Sequence, residues 1–138
     1  MEKNYVDLKL LISDFEDITH DELSRLLAIN PCYIQLKGEK RNPKNPSSPL
    51  WQSNIWSMNS GLDKYASFED QMNKILDIIE SKMEVFKPLC QKYYCEFVCA
   101  VFTYKDNEES TPWIHLNKRY NKVAAALNLE FDIDLYAW

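Results

Sequence analysis

The feature that most constrains the fold of this chain is a period-two pattern near each end of the sequence. Residues 4–12 and 129–136 place an apolar side chain at every second position, which is typical of a strand with one buried and one solvated face. A sheet with a solvated face has only one face left for helices, so the pattern favours two layers over a doubly wound parallel sheet. The inward-facing residues predicted in these strands are Val6, Leu8, Leu10, Ile12, Leu129, Phe131, Ile133 and Leu135.

Three helices are predicted between the strands, each with a recognisable start. Thr19 and Glu22 have the spacing of a capping box at the start of the first helix. Ser67 precedes a long segment with apolar residues every three or four positions, and Pro88 is expected to kink that helix or start a new turn. Asn117 is the predicted cap of the third helix.

Further strands are predicted at residues 32–36, 51–59 and 94–104. In the second of these, Trp56 is expected to face the core and Ser57 to face water. Residues 94–104 are apolar on both faces, which indicates a central strand. The sequence therefore predicts an α+β two-layer sandwich, with a largely antiparallel four- to five-stranded sheet, three helices on one face, and the order β-α-β-α-β-α-β.

The length of 138 residues is that of one domain with a real core, so residues 1–138 are predicted to form a single globular domain. Residues 38–49 contain three prolines and are expected to be a flexible, basic loop. No apolar run approaches the ~20 residues of a membrane span. The first residues lack the basic and apolar regions of a signal peptide, so the predicted localisation is cytoplasmic.

The net charge of −5 disfavours nucleic acid as a partner, because affinity for nucleic acid comes largely from lysine and arginine. Residues 37–49 hold four basic residues and one acidic residue, which leaves −8 on the rest of the chain. A field of that sign steers a basic partner toward the protein.

Enzymatic and metal-site motifs do not stand out in the sequence. Its four cysteines lack the paired C-x₂-C spacing of a zinc site, and Cys95 and Cys99 lie in the central strand, where they are expected to be buried and inert. His20 and His115 are the candidate bases, and neither is near a nucleophile motif. We therefore predict no enzyme activity, no metal and no cofactor.

A row of carboxylates on the last strand is the strongest candidate for a functional surface. The three acidic residues occupy alternate positions about 7 Å apart and should all face solvent. Lys9 on the first strand is expected to pair with one of them if the row is an ordinary solvated face. If the first and last strands are neighbours, the surface extends across both. The predicted partner-binding residues are Glu130, Asp132, Asp134, Tyr136, Asp7 and Tyr5.

An ordered series of short motifs runs through nearly the whole chain: the pattern I-T-x-x-x-L-x-x-x-L-x-I-x-P at 18–31, Lys37-Gly38, Trp56 with Ser60, His115-Leu116, and L-x-L-x-x-D-I-D-x-Y at 127–136. This series resembles the bacterial domain-of-unknown-function family 4279. The chain departs from the family pattern in an insert at 42–49 and in its last two residues, Ala137-Trp138. The resemblance implies no assigned chemistry. It also implies kinship with members that look like immunity proteins, which are small antidotes that bind and block a toxin.

Taken together, these observations predict a protein-binding module that occludes a basic toxin domain, a nuclease being the best match, through its acidic surface. The alternative is a sensor of small molecules or nucleotides that uses the basic loop, and a structural interaction domain without a toxin is a third reading. The alternative ligand site comprises Lys37, Lys40, Arg41 and Trp51.

Overall fold

Five strands form one mixed sheet in the computed structural model of the protein, which describes residues 2–138. They are β1 (Tyr5–Ser13), β2 (Tyr33–Gln35), β3 (Ile55–Asn59), β4 (Tyr94–Thr103) and β5 (Glu130–Ala137). Their order across the sheet is β2-β3-β1-β4-β5. All neighbouring pairs are antiparallel except β4 and β5, which are parallel. The predicted α+β class with a largely antiparallel sheet is confirmed.

Four helices pack on one face of this sheet: α1 (His20–Leu27), α2 (Phe68–Ser81), α3 (Met83–Lys92) and α4 (Lys118–Leu127). Three begin at the predicted caps, whose side-chain oxygens satisfy helix N–H groups that have no partner within the helix. Thr19 accepts from the amide of Glu22 at 3.1 Å, and Glu22 accepts in return from the Thr19 amide. Ser67 and Asn117 make the equivalent bonds at 3.0 and 2.9 Å.

The long second helix of the prediction is two helices, α2 and α3, and the break is not at Pro88. It falls at Lys82, whose backbone lies outside the helical region at φ −134°, ψ 32°. The Lys82 ammonium donates to the carbonyl oxygens of Leu27 and Ala28 at the end of α1. Pro88 lies within α3, so the interruption coincides with a contact to another helix and not with the proline.

The hydrophobic core lies between the helices and one face of the sheet. Alternate residues of β1 and β4 are buried, and Trp56 and Met58 of β3 join them as predicted. Trp56 is fully buried, and its indole N–H donates to the Ser24 hydroxyl of α1 at 3.0 Å. Burial of a large apolar side chain contributes about 1.5–3 kcal/mol, so this face supplies most of the stabilising burial.

One side chain of β3 departs from the prediction. Ser57 was expected to face water, and it does lie on the sheet face away from the helices, but it is fully buried. Ser57 is in register with Tyr33 of the neighbouring strand β2, and its hydroxyl donates to the Tyr33 carbonyl oxygen at 3.0 Å.

The last strand also departs from the prediction. Leu129 and Phe131 pack against the core as expected, but Ile133 and Leu135 are 49% and 77% exposed. Phe131 contacts Tyr120 of α4 and Phe68 of α2. Within residues 2–138 no helix extends over the later part of β5, so its two apolar side chains on the helix side stay in contact with solvent.

Residues 38–51 form a loop held together by its own backbone. The Gly38 amide donates to the Trp51 carbonyl at 2.9 Å, the Trp51 amide donates to Glu39, and the Arg41 amide donates to Pro49. Gly38 has φ +88°, a conformation that glycine adopts without steric cost. None of the helices in the described part of the chain is long and apolar enough to cross a membrane.

Candidate functional site

The sheet face opposite the helices, which we call the open face, carries the predicted carboxylates. Glu130, Asp132 and Asp134 of β5 are all exposed there. Across the sheet, Glu130 is in register with Glu96 of β4, while the other two carboxylates lie beside the uncharged Val98 and Ala100. We call Glu96, Glu130, Asp132 and Asp134 the acidic row.

Glu96 is the member of the acidic row that the sequence analysis missed. It is half-buried, and burial raises the pKa of its carboxyl, as do Asp132 and Glu130 nearby, against the opposite effect of the Tyr94 hydroxyl. The signal was present as one charge in an otherwise apolar segment. The position of Glu96 on the open face could not be predicted, because residues 94–104 appear apolar on both sides.

One end of the acidic row is held by Tyr94. Its hydroxyl oxygen lies 2.5 Å from a Glu130 carboxylate oxygen and 2.9 Å from one of Glu96. A phenol has one proton to donate, so the two carboxylates compete for it. Hydrogen bonding to Glu130, then to Glu96, raises the pKa of Tyr94 far above its usual value. The tyrosine therefore remains a neutral donor.

Lys9 does not neutralise the acidic row, so the expectation that it pairs with one of those carboxylates is wrong. The Lys9 ammonium pairs with Asp7 of its own strand at 3.4 Å. The reason is strand order, because β4 lies between β1 and β5. No lysine or arginine within residues 2–138 forms an ion pair with any member of the acidic row.

For the same reason Tyr5 and Asp7 are not adjacent to β5, but the predicted tyrosines are linked through β4. Phe102 stacks on Tyr5 with ring centroids 4.4 Å apart and on Tyr136 with centroids 4.9 Å apart. The Lys64 ammonium lies 4.5 Å from the Tyr5 ring centroid. We call Tyr5, Phe102 and Tyr136 the aromatic ladder. Phe102 is its central member, and the sequence analysis missed it.

The alternative ligand site is largely engaged with its own chain. Lys37 forms an ion pair with Glu16, and the Arg41 guanidinium lies 5.0 Å from the centroid of the Trp51 ring. The cleft beside Lys37 has a volume of about 470 Å³ and is also lined by Glu16 and Asp21, but not by Lys40, Arg41 or Trp51. The four predicted residues therefore do not converge on this cleft.

Within residues 2–138, neither histidine ring forms a hydrogen bond to a serine, threonine or cysteine side chain. The His20 ring nitrogen Nε2 is 2.9 Å from the Gln35 carbonyl oxygen, and His115 stacks on Trp113. Cys95 and Cys99 are buried, and burial raises the pKa of the Cys99 thiol to about 12. In the part of the chain that the structure describes, no three His, Cys, Asp or Glu side chains are grouped as metal ligands.

Comparison with known protein families found one match. The family model described as "Domain of unknown function (DUF4279)" matches residues 4–138. No curated protein and no solved structure matches the chain.

Proposed function

The chain belongs to the family described as Domain of unknown function (DUF4279), and we propose that it is a non-enzymatic protein-binding domain acting as an immunity protein in the bacterial cytoplasm. Its partner is a basic toxin domain, which it binds and occludes through the acidic row. The observation that carries the proposal is that Glu96, Glu130, Asp132 and Asp134 lie together on the open face without an ion pair among residues 2–138.

Repulsion within the acidic row gives the surface its preference for a basic partner. Like charges directly opposite across a sheet are destabilising, and Glu96 faces Glu130 in this way. A cationic surface placed against the row removes that repulsion and gains ion pairs. The field of the carboxylates also speeds the encounter with such a partner.

Occlusion follows from the chemistry of the expected target. A nuclease binds its substrate through lysine and arginine side chains that contact phosphates. Carboxylates of the acidic row would occupy those cations, and the sheet behind them would block entry of the substrate. Inhibition then needs no reactive group in this chain, which fits the burial of Cys90, Cys95 and Cys99.

The test compares two double charge reversals. Asp132→Lys/Asp134→Lys alters the acidic row but leaves Glu130, which Tyr94 contacts. Glu39→Lys/Glu84→Lys makes the same change in net charge at exposed residues that lie away from the row and take part in no side-chain hydrogen bond or ion pair within residues 2–138. Circular dichroism verifies that both variants fold.

Immobilised wild type and both variants are exposed to lysate of the source cell at low and high salt, and retained proteins are identified by mass spectrometry. A retained basic protein is then expressed alone and together with each form of the chain. We expect it to arrest growth alone, and wild type and the Glu39/Glu84 variant to restore growth. The Asp132/Asp134 variant should restore none. Equal rescue by both variants would refute the role of the acidic row.

A further inference from the structure

We propose that the partner adds a β-strand to the free edge of β5, and that this strand alternates basic and apolar side chains. The inference rests on the proposed function and specifies how the partner is bound. β5 is the last strand of the sheet, and no strand within residues 2–138 pairs with its outer edge. Addition of a strand to such an edge is a common mode of recognition.

The backbone of β5 presents hydrogen-bonding groups along this edge. The Trp138 amide donates to the Thr103 carbonyl at 3.0 Å, and the Trp138 carbonyl accepts from the Lys105 amide at 2.8 Å, so both groups of Trp138 point toward β4. The pairing of β4 with β5 continues without a bulge from Glu130 to Ala137. Successive residues of a strand direct their backbone groups to opposite sides, so Ile133 and Leu135 direct theirs to the free edge.

The side chains of β5 define what an added strand must carry. On the open face it would meet the carboxylates of Asp132 and Asp134, which call for lysine or arginine. On the helix side it would meet Ile133 and Leu135, which are 49% and 77% exposed. Covering the two apolar side chains contributes free energy in proportion to their area. Because acidic and apolar side chains alternate along β5, the added strand must alternate basic and apolar side chains.

The aromatic ladder supports a cation at one position of the added strand. At the inner end of the ladder, Lys64 lies against Tyr5. At the outer end, Tyr136 is 43% exposed, and Phe102 covers only one face of its ring. The other face looks toward the position of the added strand. An arginine there would stack on the ring and lie near Asp134.

A second copy of this chain is the wrong occupant. Pairing two β5 strands edge to edge places the carboxylates of one copy beside those of the other, and like charges opposite each other on a sheet are destabilising. Charged residues on an edge strand commonly serve to prevent such self-association. Charge complementarity therefore selects a basic partner strand.

The experiment uses a fluorescent peptide of about eight residues, the length of β5, that alternates arginine or lysine with valine. A scrambled peptide of the same composition and charge, with its basic residues grouped at one end, is the control. Binding to the whole chain is measured by fluorescence anisotropy. We expect the alternating peptide to bind at least ~10-fold more tightly than the scrambled one.

Two variants separate backbone from side-chain effects. Leu135→Ala and Leu135→Pro both remove the leucine side chain, but only the proline lacks the outward N–H. We expect Leu135→Pro to bind the alternating peptide ~10-fold more weakly than Leu135→Ala. Hydrogen exchange on wild type needs no variant, and in it the peptide should protect the amides of Ile133 and Leu135 but not those of Asp132 and Asp134.

Equal binding of the two peptides, equal affinity of the two Leu135 variants, or no new protection at Ile133 and Leu135 would each overturn strand addition. If Asp132→Lys/Asp134→Lys still abolishes rescue of growth in that case, the acidic row remains the binding surface and only the mode of binding is wrong. If that variant rescues growth like wild type, the proposed function fails as well.

Discussion

At the residue scale, Glu96 is the least favourably placed charge of the acidic row. We expect Glu96→Gln to stabilise the fold at pH 7 by about 0.2–1 kcal/mol, because it removes a like charge opposite Glu130. The pKa of Glu96 is raised in the folded state, so the folded protein binds a proton more tightly there and the contribution of Glu96 to wild-type stability falls as pH rises through that pKa. The gain from the variant should therefore vanish on acidification toward about pH 4, where the carboxyl is protonated.

Urea unfolding of wild type and Glu96→Gln at both pH values measures this difference. Glu39→Gln, at an exposed residue of the basic loop, is the matched control and should show no such pH-dependent gain. A loss of stability in Glu96→Gln at neutral pH would contradict the interpretation of Glu96 as a strained charge.

The four cysteines should differ sharply in reactivity. Cys32 is exposed, whereas Cys90, Cys95 and Cys99 are buried. The thiolate is the reactive form, and the pKa values of the Cys95 and Cys99 thiols are raised, the first by hydrogen bonding to Cys90 and the second by burial. We expect iodoacetamide to label Cys32 alone in the folded protein and all four residues in denaturant, as read by peptide mass spectrometry. Labelling of Cys99 under native conditions would show that its strand opens.

The alternation of apolar and polar residues correctly predicted Trp56 and Met58 in the core and the β5 carboxylates in solvent, because each of those residues lies in a segment with a clear period of two. Glu96 and Phe102 were not predicted to belong to the site, and the reason is the same for both. Both lie in β4, where the open face is also largely apolar, so the sequence shows no contrast between its two sides.

At the element scale, Gln71 of α2 completes the hydrogen bonding of β1. Strand β3 pairs with β1 only from Lys9 onward, which leaves the earlier backbone groups of β1 without a strand on that side. The buried Gln71 side chain accepts from the Leu8 amide at 3.1 Å and donates to the Val6 carbonyl oxygen at 2.8 Å. One amide side chain thus takes the place of the missing piece of strand.

We expect Gln71→Ala to lower the free energy of unfolding by about 2–4 kcal/mol, because a buried backbone group left without a partner costs about 1–3 kcal/mol. Guanidinium unfolding followed by circular dichroism measures the loss. Gln52→Ala removes an exposed glutamine and should change stability by less than about 0.5 kcal/mol. Similar effects of the two substitutions would mean that water replaces the Gln71 amide at no cost.

Helix starts were predictable because a cap is a local structure, in which Thr19, Ser67 and Asn117 each bond to an amide three residues ahead. The break at Lys82 was not, because it coincides with a contact between its ammonium and the end of α1. Nothing in the sequence near Lys82 indicates that distant partner.

At the scale of the whole molecule, the carboxylates of β5 should keep the protein from associating with itself. Ile133 and Leu135 are exposed beside an unpaired strand edge, a combination that favours aggregation when no charge opposes it. We expect Asp132→Asn/Asp134→Asn to form dimers or larger species at neutral pH, whereas wild type does not. Sedimentation velocity over a range of concentrations measures this.

The same substitutions combined with Leu135→Lys, which restores a charge to the edge, should return the protein to the behaviour of wild type. If the doubly neutralised protein sediments like wild type at every concentration, charge repulsion is not what protects the edge.

The α+β class and two-layer architecture followed from the period-two patterns of the first and last strands, which leave one sheet face to solvent, but the order of strands did not. Hydrophobic periodicity shows which face of a strand is buried, but it does not indicate which strands pair with it. The insertion of β4 between β1 and β5 therefore decided two points of the site. It separated Lys9 from the acidic row, and it supplied Glu96 and Phe102.

The central position of β1 has a consequence for biosynthesis. It is the first of the nine helices and strands within residues 2–138, yet its neighbours in the sheet come after α1 and after α3. On the ribosome, this apolar strand therefore has no partner strand until β3 has been translated, and one of its two edges stays unpaired until β4 follows. Such long-range pairing slows folding, and nascent chains with exposed strands are substrates for chaperones. Delayed closure of the sheet makes this small protein a candidate client of those that act during translation.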